Sequence, residues 1–257
     1  MKNLTTAFMM FFTAFSVNAQ ITVFKKELSL MPQLTYYAVN HLGDTVSIKN
    51  NEITKKTTLK TYTFKDPFLG EIERYDERNP LQQLVFYKNI QQIVLLDNQL
   101  SVKEKIVLSD RFPEIDAAYA SLTAQASIWI FDQASKRWCI ILSRNDYPKF
   151  VSNPITDYTF LTTDGNFAYW QKNDAVYGID IYGKVIPQKN LPENAKLLAT
   201  NNDLIVYILN NKLFLFNTRK NETQQLTEIT SAVTNVFFNA KNLSVLTAEK
   251  LYLYQIN

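Results

Sequence analysis

Hydrophobic and polar residues alternate with a period of two along most of the chain after residue 20, in runs of four to eight residues. Short polar segments rich in Asn, Asp, Lys and Gln separate these runs. In a β-strand every second side chain lies on the same face, so this period predicts short strands joined by tight turns. Only 102–108 and 225–231 offer a helical turn, and neither is well capped. The pattern therefore predicts an all-β protein.

Five of the runs share one form, an apolar stretch closed by a polar turn residue. They are Ile93–Asp97, Ile128–Asp132, Val176–Asp180, Leu213–Asn217 and Leu251–Gln255. Their starting positions are 35, 48, 37 and 38 residues apart. A repeat of about 40 residues built from three or four short strands is typical of propeller blades. We predict a closed β-propeller of about six blades, with five or seven possible and a pair of β-sandwiches as the alternative fold.

Closure of the ring is expected from the N-terminal strand. The run Ile21–Phe24 has no partner in its own repeat, and the last repeat stops at Asn257 without an outermost strand. Pairing the two would complete the last blade and remove an open sheet edge. The chain has only five glycines, so most turns are expected to use Asn and Asp instead.

Residues 1–19 have the composition of a secretory signal peptide. Lys2 supplies a positive charge, Ala7–Val17 is a short apolar core, and Val17-Asn18-Ala19 is a small-x-small cleavage signal. The alternative is a membrane anchor, but the apolar run is shorter than the ~20 residues that span a bilayer. We therefore expect a single propeller domain over residues 20–257. No cysteine follows the apolar core, so lipid attachment at this end is not expected.

The composition narrows the possible chemistry. A net charge of +3, from 27 basic and 24 acidic residues, disfavours a nucleic-acid partner. The single cysteine, Cys139, excludes stabilising disulfides and suits a bacterial periplasm. The single histidine, His41, is expected in a hairpin loop, and Cys139 is expected to be a buried apolar group. These residues suggest no catalytic group, no metal site and no cofactor, so the expectation is that the protein is not an enzyme.

Two residue sets leave a carbohydrate function open as the alternative. The turn acids Asp97, Asp132 and Asp180 could flank a sugar bond, although equivalent positions in successive repeats favour plain turn formation. Aromatic residues could stack on sugars, although packing between blades is the simpler interpretation. They are Trp129, Trp138, Tyr169, Trp170 and Tyr182. The alternative is therefore a carbohydrate-binding or glycoside-processing propeller.

The segment Phe64–Pro80 interrupts the repeats, with charged and apolar residues between two prolines. Long inserted loops often carry recognition, and a crossover lying flat on the surface is the alternative. A second irregular stretch is Asn145–Phe150. We expect a protein-binding surface formed by apolar side chains of the two segments. These are Phe68, Leu69, Ile72 and Tyr75, with Tyr147 and Phe150 as a second patch.

Four short motifs carry a resemblance to a known family. They are Asp66-Pro67-Phe68-Leu69-Gly70-Glu71-Ile72, Asn79-Pro80-Leu81, Phe86-Tyr87 and Leu96-Asp97-Asn98-Gln99-Leu100. On these motifs the chain resembles exported propeller-like proteins of Bacteroidota, in particular the plug subunit of the type IX secretion translocon. The repeat Val176–Lys184 is also similar to the blades of propellers that scaffold outer-membrane protein assembly. Both resemblances imply non-enzymatic binding to another envelope protein, in the periplasm and associated with the outer membrane through that partner.

Overall fold

The computed structural model describes residues 21–29, 34–39, 43–142, 147–229, 231–239 and 242–257. These residues form six four-stranded antiparallel sheets. The first strand of the chain is β1 (Thr22–Ser29). Blade 1 consists of β2 (Leu34–Val39), β3 (Thr45–Lys49), β4 (Glu52–Lys56) and β5 (Thr61–Phe64). Blade 2 consists of β6 (Arg74–Asp76), β7 (Gln83–Tyr87), β8 (Gln92–Leu96) and β9 (Val102–Val107).

The remaining four blades repeat this arrangement. Blade 3 consists of β10 (Ala117–Leu122), β11 (Ile128–Asp132), β12 (Arg137–Ile141) and β13 (Lys149–Phe150). Blade 4 consists of β14 (Phe160–Thr163), β15 (Phe167–Lys172), β16 (Ala175–Asp180) and β17 (Val185–Asn190). Blade 5 consists of β18 (Lys196–Asn201), β19 (Leu204–Leu209), β20 (Lys212–Asn217) and β21 (Glu222–Gln225). Blade 6 consists of β22 (Val233–Asn239), β23 (Asn242–Thr247), β24 (Lys250–Ile256) and β1. A helical turn, α1 (Leu108–Arg111), links blades 2 and 3.

The predicted six-bladed all-β propeller, closed by the N-terminal strand, is confirmed. Strand β1 pairs antiparallel with β24, from Thr22 opposite Ile256 to Ser29 opposite Lys250. The last residue extends this pairing, since the Asn257 backbone N–H donates to the Ile21 carbonyl at 3.0 Å. Blade 6 therefore contains both ends of the propeller, and the ring has no open edge between its first and last blades.

The core lies between neighbouring blades, and both faces of a blade contribute to it. In β7, Leu84 and Phe86 pack towards blade 3, whereas Val85 and Tyr87 pack towards blade 1. All four side chains are buried. A strand covered on both faces needs apolar residues at consecutive positions, and this explains the continuous apolar runs in second strands such as β7, β11 and β19. One sheet cannot bury both faces alone, so each blade depends on its neighbours.

Asparagine supplies much of the turn geometry, as expected from the low glycine content. The two-residue turns Asn50-Asn51 and Asn210-Asn211 have φ between 50° and 60° at all four positions. These angles match the type I′ hairpin, which requires positive φ at both central residues. Asparagine tolerates this region better than other residues with a β-carbon.

The alignment of one of the five predicted runs with the blades is wrong. Four of the five aligned runs are third strands, but Ile128–Asp132 is β11, the second strand of blade 3. The third strand of that blade is β12, nine residues further on, and the mismatch produced the uneven spacings of 35 and 48. Of the two segments that could offer a helical turn, 102–107 is strand β9, and the helical turn α1 follows it at Leu108–Arg111.

Strand order gives the propeller two distinct faces. One face, which we call the lower face, carries two turns of each blade. They are the turn from the first to the second strand and the turn from the third to the fourth strand. The upper face carries the turns from second to third strand and the connections from one blade to the next. Inner strands run from the upper to the lower face, so a residue's position along the chain fixes the face near which it lies.

Candidate functional site

A cavity of about 630 Å³ follows the axis of the ring. All six inner strands contribute residues to its wall. The most highly charged part of the wall is 73–78, which comprises Glu73, strand β6 and the two residues after it. Axial cavities with a few convergent polar groups are the usual ligand sites of such folds, so this wall is the candidate functional site.

An ion pair between the buried Asp76 and the partly exposed Arg78 side chain ties three blades together at the lower end of the cavity. Arg78 Nε donates to Asp76 Oδ1 at 2.9 Å, and Nη2 contacts Asp76 Oδ2. The same guanidinium donates to the carbonyls of Leu122 in blade 3 and Thr163 in blade 4, both at 3.1 Å. Burial alone would raise the pKa of Asp76, but the Arg78 charge and hydrogen bonds outweigh it and hold that pKa below its usual value. Both groups are therefore charged and committed to each other.

Glu77 differs from its neighbours, because no cation among the described residues is its direct partner. Its Oε1 accepts a hydrogen bond from Tyr36 Oη at 3.2 Å and from Asn239 Nδ2 at 2.7 Å. Burial raises the pKa of Glu77 to about 7, against the lowering effect of these two hydrogen bonds. A carboxyl group with this pKa can accept or donate a proton near neutral pH, as general acids and bases do.

Arg74 completes the charged wall on the side that faces blade 3. Its guanidinium carbon lies 4.1 Å from the centre of the Tyr119 ring. Its Nε is buried and has no hydrogen-bond partner among the described residues. The cavity thus combines a cation, a titrating carboxyl group and several amide and hydroxyl side chains. In the described part of the chain, no cluster of His, Cys, Asp and Glu could hold a metal ion.

Sequence reasoning placed this segment in a surface loop and missed its charged residues. Arg74, Glu77 and Arg78 belong to the Phe64–Pro80 segment. For this segment only the apolar residues were predicted to have a function, as a protein-binding surface. The available signal was the sequence Arg-Tyr-Asp-Glu-Arg, which ends four residues before the buried run Gln83–Tyr87 begins. An inner strand should occupy that position in the repeat, so charges there line the axis of the ring.

The six predicted contact residues are divided between surface and core. Phe68 and Tyr147 are 91% and 80% exposed, but Phe68 lies on the upper face and Tyr147 on the lower one. Leu69 and Tyr75 are buried in the core between blades 1 and 2. They therefore contribute to packing, and Tyr75 lies in inner strand β6 rather than in a loop.

The other two predicted contact residues are partly buried. Ile72 packs against the core between blades 1 and 2. Phe150 lies in strand β13, packs against the core between blades 2 and 3, and has the Arg137 guanidinium 4.6 Å from its ring centre. The six residues therefore do not form one surface patch.

A different set of apolar residues is exposed together. Nine large hydrophobic side chains are exposed in the described part of the chain, and seven of these belong to lower-face turns or the strand ends next to them. The seven are Leu59, Leu81, Val102, Leu142, Tyr147, Tyr182 and Val185. We call this set the lower-face apolar group. Lys149 Nζ lies 5.8 Å from the Tyr182 ring centre, which links blades 3 and 4 along the rim.

The turn acids form turns, as favoured by the sequence. Asp97 Oδ1 accepts the backbone N–H groups of Gln99 and Ser101 at 2.8 and 2.9 Å. Asp180 Oδ1 accepts those of Tyr182 and Lys184, both at 2.9 Å. Asp132 likewise accepts backbone N–H groups, from Asp116, Ala134 and Ser135. The three carboxylates are each engaged by their own turns and do not converge on the central cavity.

Most of the aromatic candidates for sugar stacking are core residues. Trp129, Trp138 and Tyr169 are buried between blades. Trp170 is partly buried and stacks on Tyr177, with ring centres 5.6 Å apart, in a groove of about 350 Å³ outside the ring axis. Tyr182 is exposed on the lower face.

Cys139 is buried, as expected, and burial raises the pKa of its thiol. His41 and the predicted signal peptide 1–19 lie outside the described residues. Within the residues described, none of the helices has the length and apolar character needed to cross a membrane.

The comparisons with known proteins identify solved structures with the same fold. No protein-family model matches the chain, and no curated protein matches it. A catalytically inactive virginiamycin B lyase from Staphylococcus aureus, solved with quinupristin, superposes with a TM-score of 0.61 at 13% identity. The match covers 91% of this chain and all of that one. A streptogramin B lyase has a TM-score of 0.59 at 17% identity, over 87% of this chain and 79% of that one.

A further similar structure was solved with a bound protein. BBS1N in complex with ARL6DN has a TM-score of 0.53 at 14% identity, over 89% of this chain and 79% of that one. At these identities the likeness shows the fold and nothing finer.

The expectation that the protein is not an enzyme is contradicted by the lyases. It assumed that a chain with one histidine and no obvious catalytic triad has no catalytic role. Two structures with the same fold over most of this chain are lyases, so the propeller fold is compatible with catalysis. Composition alone also gives no sign of the central cavity, where burial raises the pKa of Glu77 to about 7. The chain is a six-bladed β-propeller whose fold occurs in lyases and in protein-binding propellers.

Proposed function

We propose that the chain is an exported, protein-binding propeller that acts in the periplasm as a subunit of an outer-membrane protein secretion complex. The predicted signal peptide supports export. The resemblance of four short motifs to the plug subunit of the type IX translocon supports a partner in that complex. A propeller is consistent with protein binding, and BBS1N with ARL6DN is an example of a similar fold solved with a protein partner.

The observation that carries this proposal is the lower-face apolar group. Soluble proteins normally expose large apolar side chains singly, and their concentration on one surface is typical of an interaction site. Of the nine such side chains in the residues that the structure describes, seven lie on the lower face and two, Phe68 and Ile90, lie on the upper face. The lower face is therefore the surface to which a partner binds.

The arrangement of this group suits a broad, shallow interface. Its members come from blades 1 to 4, with Leu59 in blade 1, Leu81 in blade 2, Tyr147 in blade 3 and Tyr182 in blade 4. A stable protein interface buries about 800 Å² on each partner. Contacts on four adjacent blades can supply such an area without any change in the propeller. Tyrosine and leucine side chains supply the apolar area, and tyrosine is enriched among the residues that dominate binding.

The test uses tagged protein purified from detergent-solubilised envelopes, followed by mass spectrometry. Wild-type protein is expected to recover a subunit of the outer-membrane translocon. A lower-face variant with Leu81→Ser, Tyr147→Ser and Tyr182→Ser should reduce this recovery at least about tenfold, since interface anchors typically contribute about 2 kcal/mol each. All three side chains are exposed, so the variant should fold normally.

The matched control is an upper-face variant with Phe68→Ser and Ile90→Ser. It also removes exposed apolar side chains but should leave recovery unchanged. If recovery is lost only in the upper-face variant, the partner binds the upper face and the assignment to the lower face is wrong. If wild-type protein reproducibly recovers no envelope protein, the proposed function is wrong.

A further inference from the structure

Arg74 forms no ion pair with any of the described residues. No carboxylate oxygen of the described residues lies within ion-pair distance of its guanidinium. The nearest acid in the sequence on the same side of the strand is Asp76, two residues away, but its carboxylate is committed to Arg78 and to the Leu122 backbone N–H. Glu77 points to the other side, where Tyr36 and Asn239 hold it. Among the described residues, the Arg74 guanidinium therefore lies in the cavity wall without a paired carboxylate.

The guanidinium is also short of hydrogen bonds. Its Nε is buried and has no acceptor in the described part of the protein. Leaving a buried donor of a charged group unsatisfied is costly, and nearly all such groups in folded proteins have a partner. The hydroxyl of Thr200, in the blade opposite Arg74, lines the same cavity and is also buried without a partner. These two atoms are themselves shielded from the cavity. The Arg74 side chain as a whole is only partly buried and lines the cavity, so an occupant can reach the other N–H groups of its guanidinium.

Tyr119 fixes the position of this cation. The Arg74 guanidinium carbon is 4.1 Å from the Tyr119 ring centre, and the ring itself is buried. Contact with an aromatic face holds the guanidinium plane and leaves the N–H groups along its edge available. A fork of N–H donors in one plane matches the two oxygens of a carboxylate or phosphate group.

The other charged groups of the cavity leave Arg74 available for a ligand. Asp76 and Arg78 neutralise each other. Asp164 accepts hydrogen bonds from Tyr169 Oη and the Asn202 backbone N–H. Glu73 is exposed and forms no ion pair among the described residues.

From these contacts we infer that the central cavity binds a small anionic ligand, with the carboxylate or phosphate group of that ligand held by Arg74. The cavity volume of about 630 Å³ is in the range of small-molecule sites. This site goes beyond the proposed protein-binding function and uses no residue of the lower-face apolar group.

Two probes test the site in purified wild-type protein: inorganic phosphate and acetate. The Nε–H signals of ¹⁵N-labelled arginine are followed during each titration, with sodium chloride at equal ionic strength as the reference. The signal of Arg74, assigned by its absence in Arg74→Lys, should shift saturably with at least one of the two anions. The anion with the tighter binding identifies the ligand class as phosphate or carboxylate. If neither anion shifts the signal more than chloride does, the inference is overturned.

Affinity measured by calorimetry provides the second readout. Arg74→Met should weaken binding of the preferred anion at least about tenfold, because it removes charged hydrogen bonds. The matched control is Arg219→Met, which removes an exposed arginine from a turn of blade 5 and should leave the affinity unchanged. Arg74→Lys retains the charge without the planar fork and should bind with intermediate affinity. Equal affinity in Arg74→Met and Arg219→Met would overturn the inference. Since no envelope partner is present, either result leaves the proposed function standing.

Discussion

Replacing Arg78 by methionine should destabilise the propeller far more than replacing an exposed arginine. The Arg78 guanidinium donates to Asp76 in its own blade, to the Leu122 carbonyl in blade 3 and to the Thr163 carbonyl in blade 4. Methionine has a similar length but provides none of these hydrogen bonds and no charge. The substitution therefore removes a link between three inner strands at the end of the cavity.

The magnitude follows from the environment of Asp76, whose side chain is only 4% exposed. Removing one partner of a buried ion pair typically costs about 3–5 kcal/mol, because the other charge stays buried without compensation. The Arg78 side chain is 29% exposed and borders the cavity, so water can solvate part of the Asp76 carboxylate once Arg78 is replaced. We therefore expect the lower end of this range, about 3 kcal/mol. For a protein of this size that corresponds to a fall in Tm of roughly 6–12 °C.

Urea unfolding followed by circular dichroism measures this difference, with Arg219→Met as the control for loss of one positive charge. The double variant Asp76→Asn with Arg78→Met should recover part of the lost stability, since it no longer buries an unpaired carboxylate. If Arg78→Met lies within about 0.5 kcal/mol of the control, the ion pair does not link the blades and the reasoning is refuted.

Three further predictions concern single residues. Burial raises the pKa of Glu77 from 4.5 to about 7. Between these two pH values the folded state therefore retains a proton that the unfolded state has lost. The free energy of unfolding consequently falls as the pH rises, by at most about 3 kcal/mol. Glu77→Gln should remove that part of the slope in urea unfolding measured from pH 4.5 to 8, and a stability difference from wild type that does not vary with pH would contradict the prediction. Gly178→Ala should lower stability by about 1–3 kcal/mol, since its β-carbon would lie 2.5 Å from Ile186 Cδ1; an unchanged Tm would show that blade 4 adapts freely. Leu69→Ala should lower the free energy of unfolding by about 2 kcal/mol or more in thermal unfolding, because Leu69 is buried. Phe68→Ala, at the exposed neighbouring position, should lower it by less than about 0.5 kcal/mol. Equal effects would argue against the burial of Leu69.

The blade count and the closure of the ring were predictable because both depend on local patterns. A period near 40 residues and an unpaired strand at Ile21–Phe24 are visible in the sequence, and β1 does complete blade 6. The phase error at Ile128–Asp132 has a physical cause. In blade 3 the second and third strands are both apolar, since each is covered on two faces, and the pattern alone does not distinguish them.

The residues of the candidate site were harder to predict, because their roles depend on contacts distant in sequence. Arg78 donates to the Thr163 carbonyl across 85 residues, and Glu77 accepts from Asn239 across 162 residues. In the sequence these charges resemble those of a solvated loop. The prediction of contact residues failed because apolar residues were assigned to the surface. Leu69 and Tyr75 look like loop residues in the sequence, but they fill the core between blades 1 and 2.

The central claim is that a protein partner binds the lower face, and site-specific photocrosslinking in living cells tests it most directly. A photoreactive phenylalanine analogue is placed at Tyr182 on the lower face or at Phe68 on the upper face, both of which are exposed. Ultraviolet light should then join the Tyr182 position to a subunit of the outer-membrane translocon, while the Phe68 position gives no such product. Crosslinks from Phe68 alone, or none from Tyr182 in a correctly exported protein, would contradict the claim.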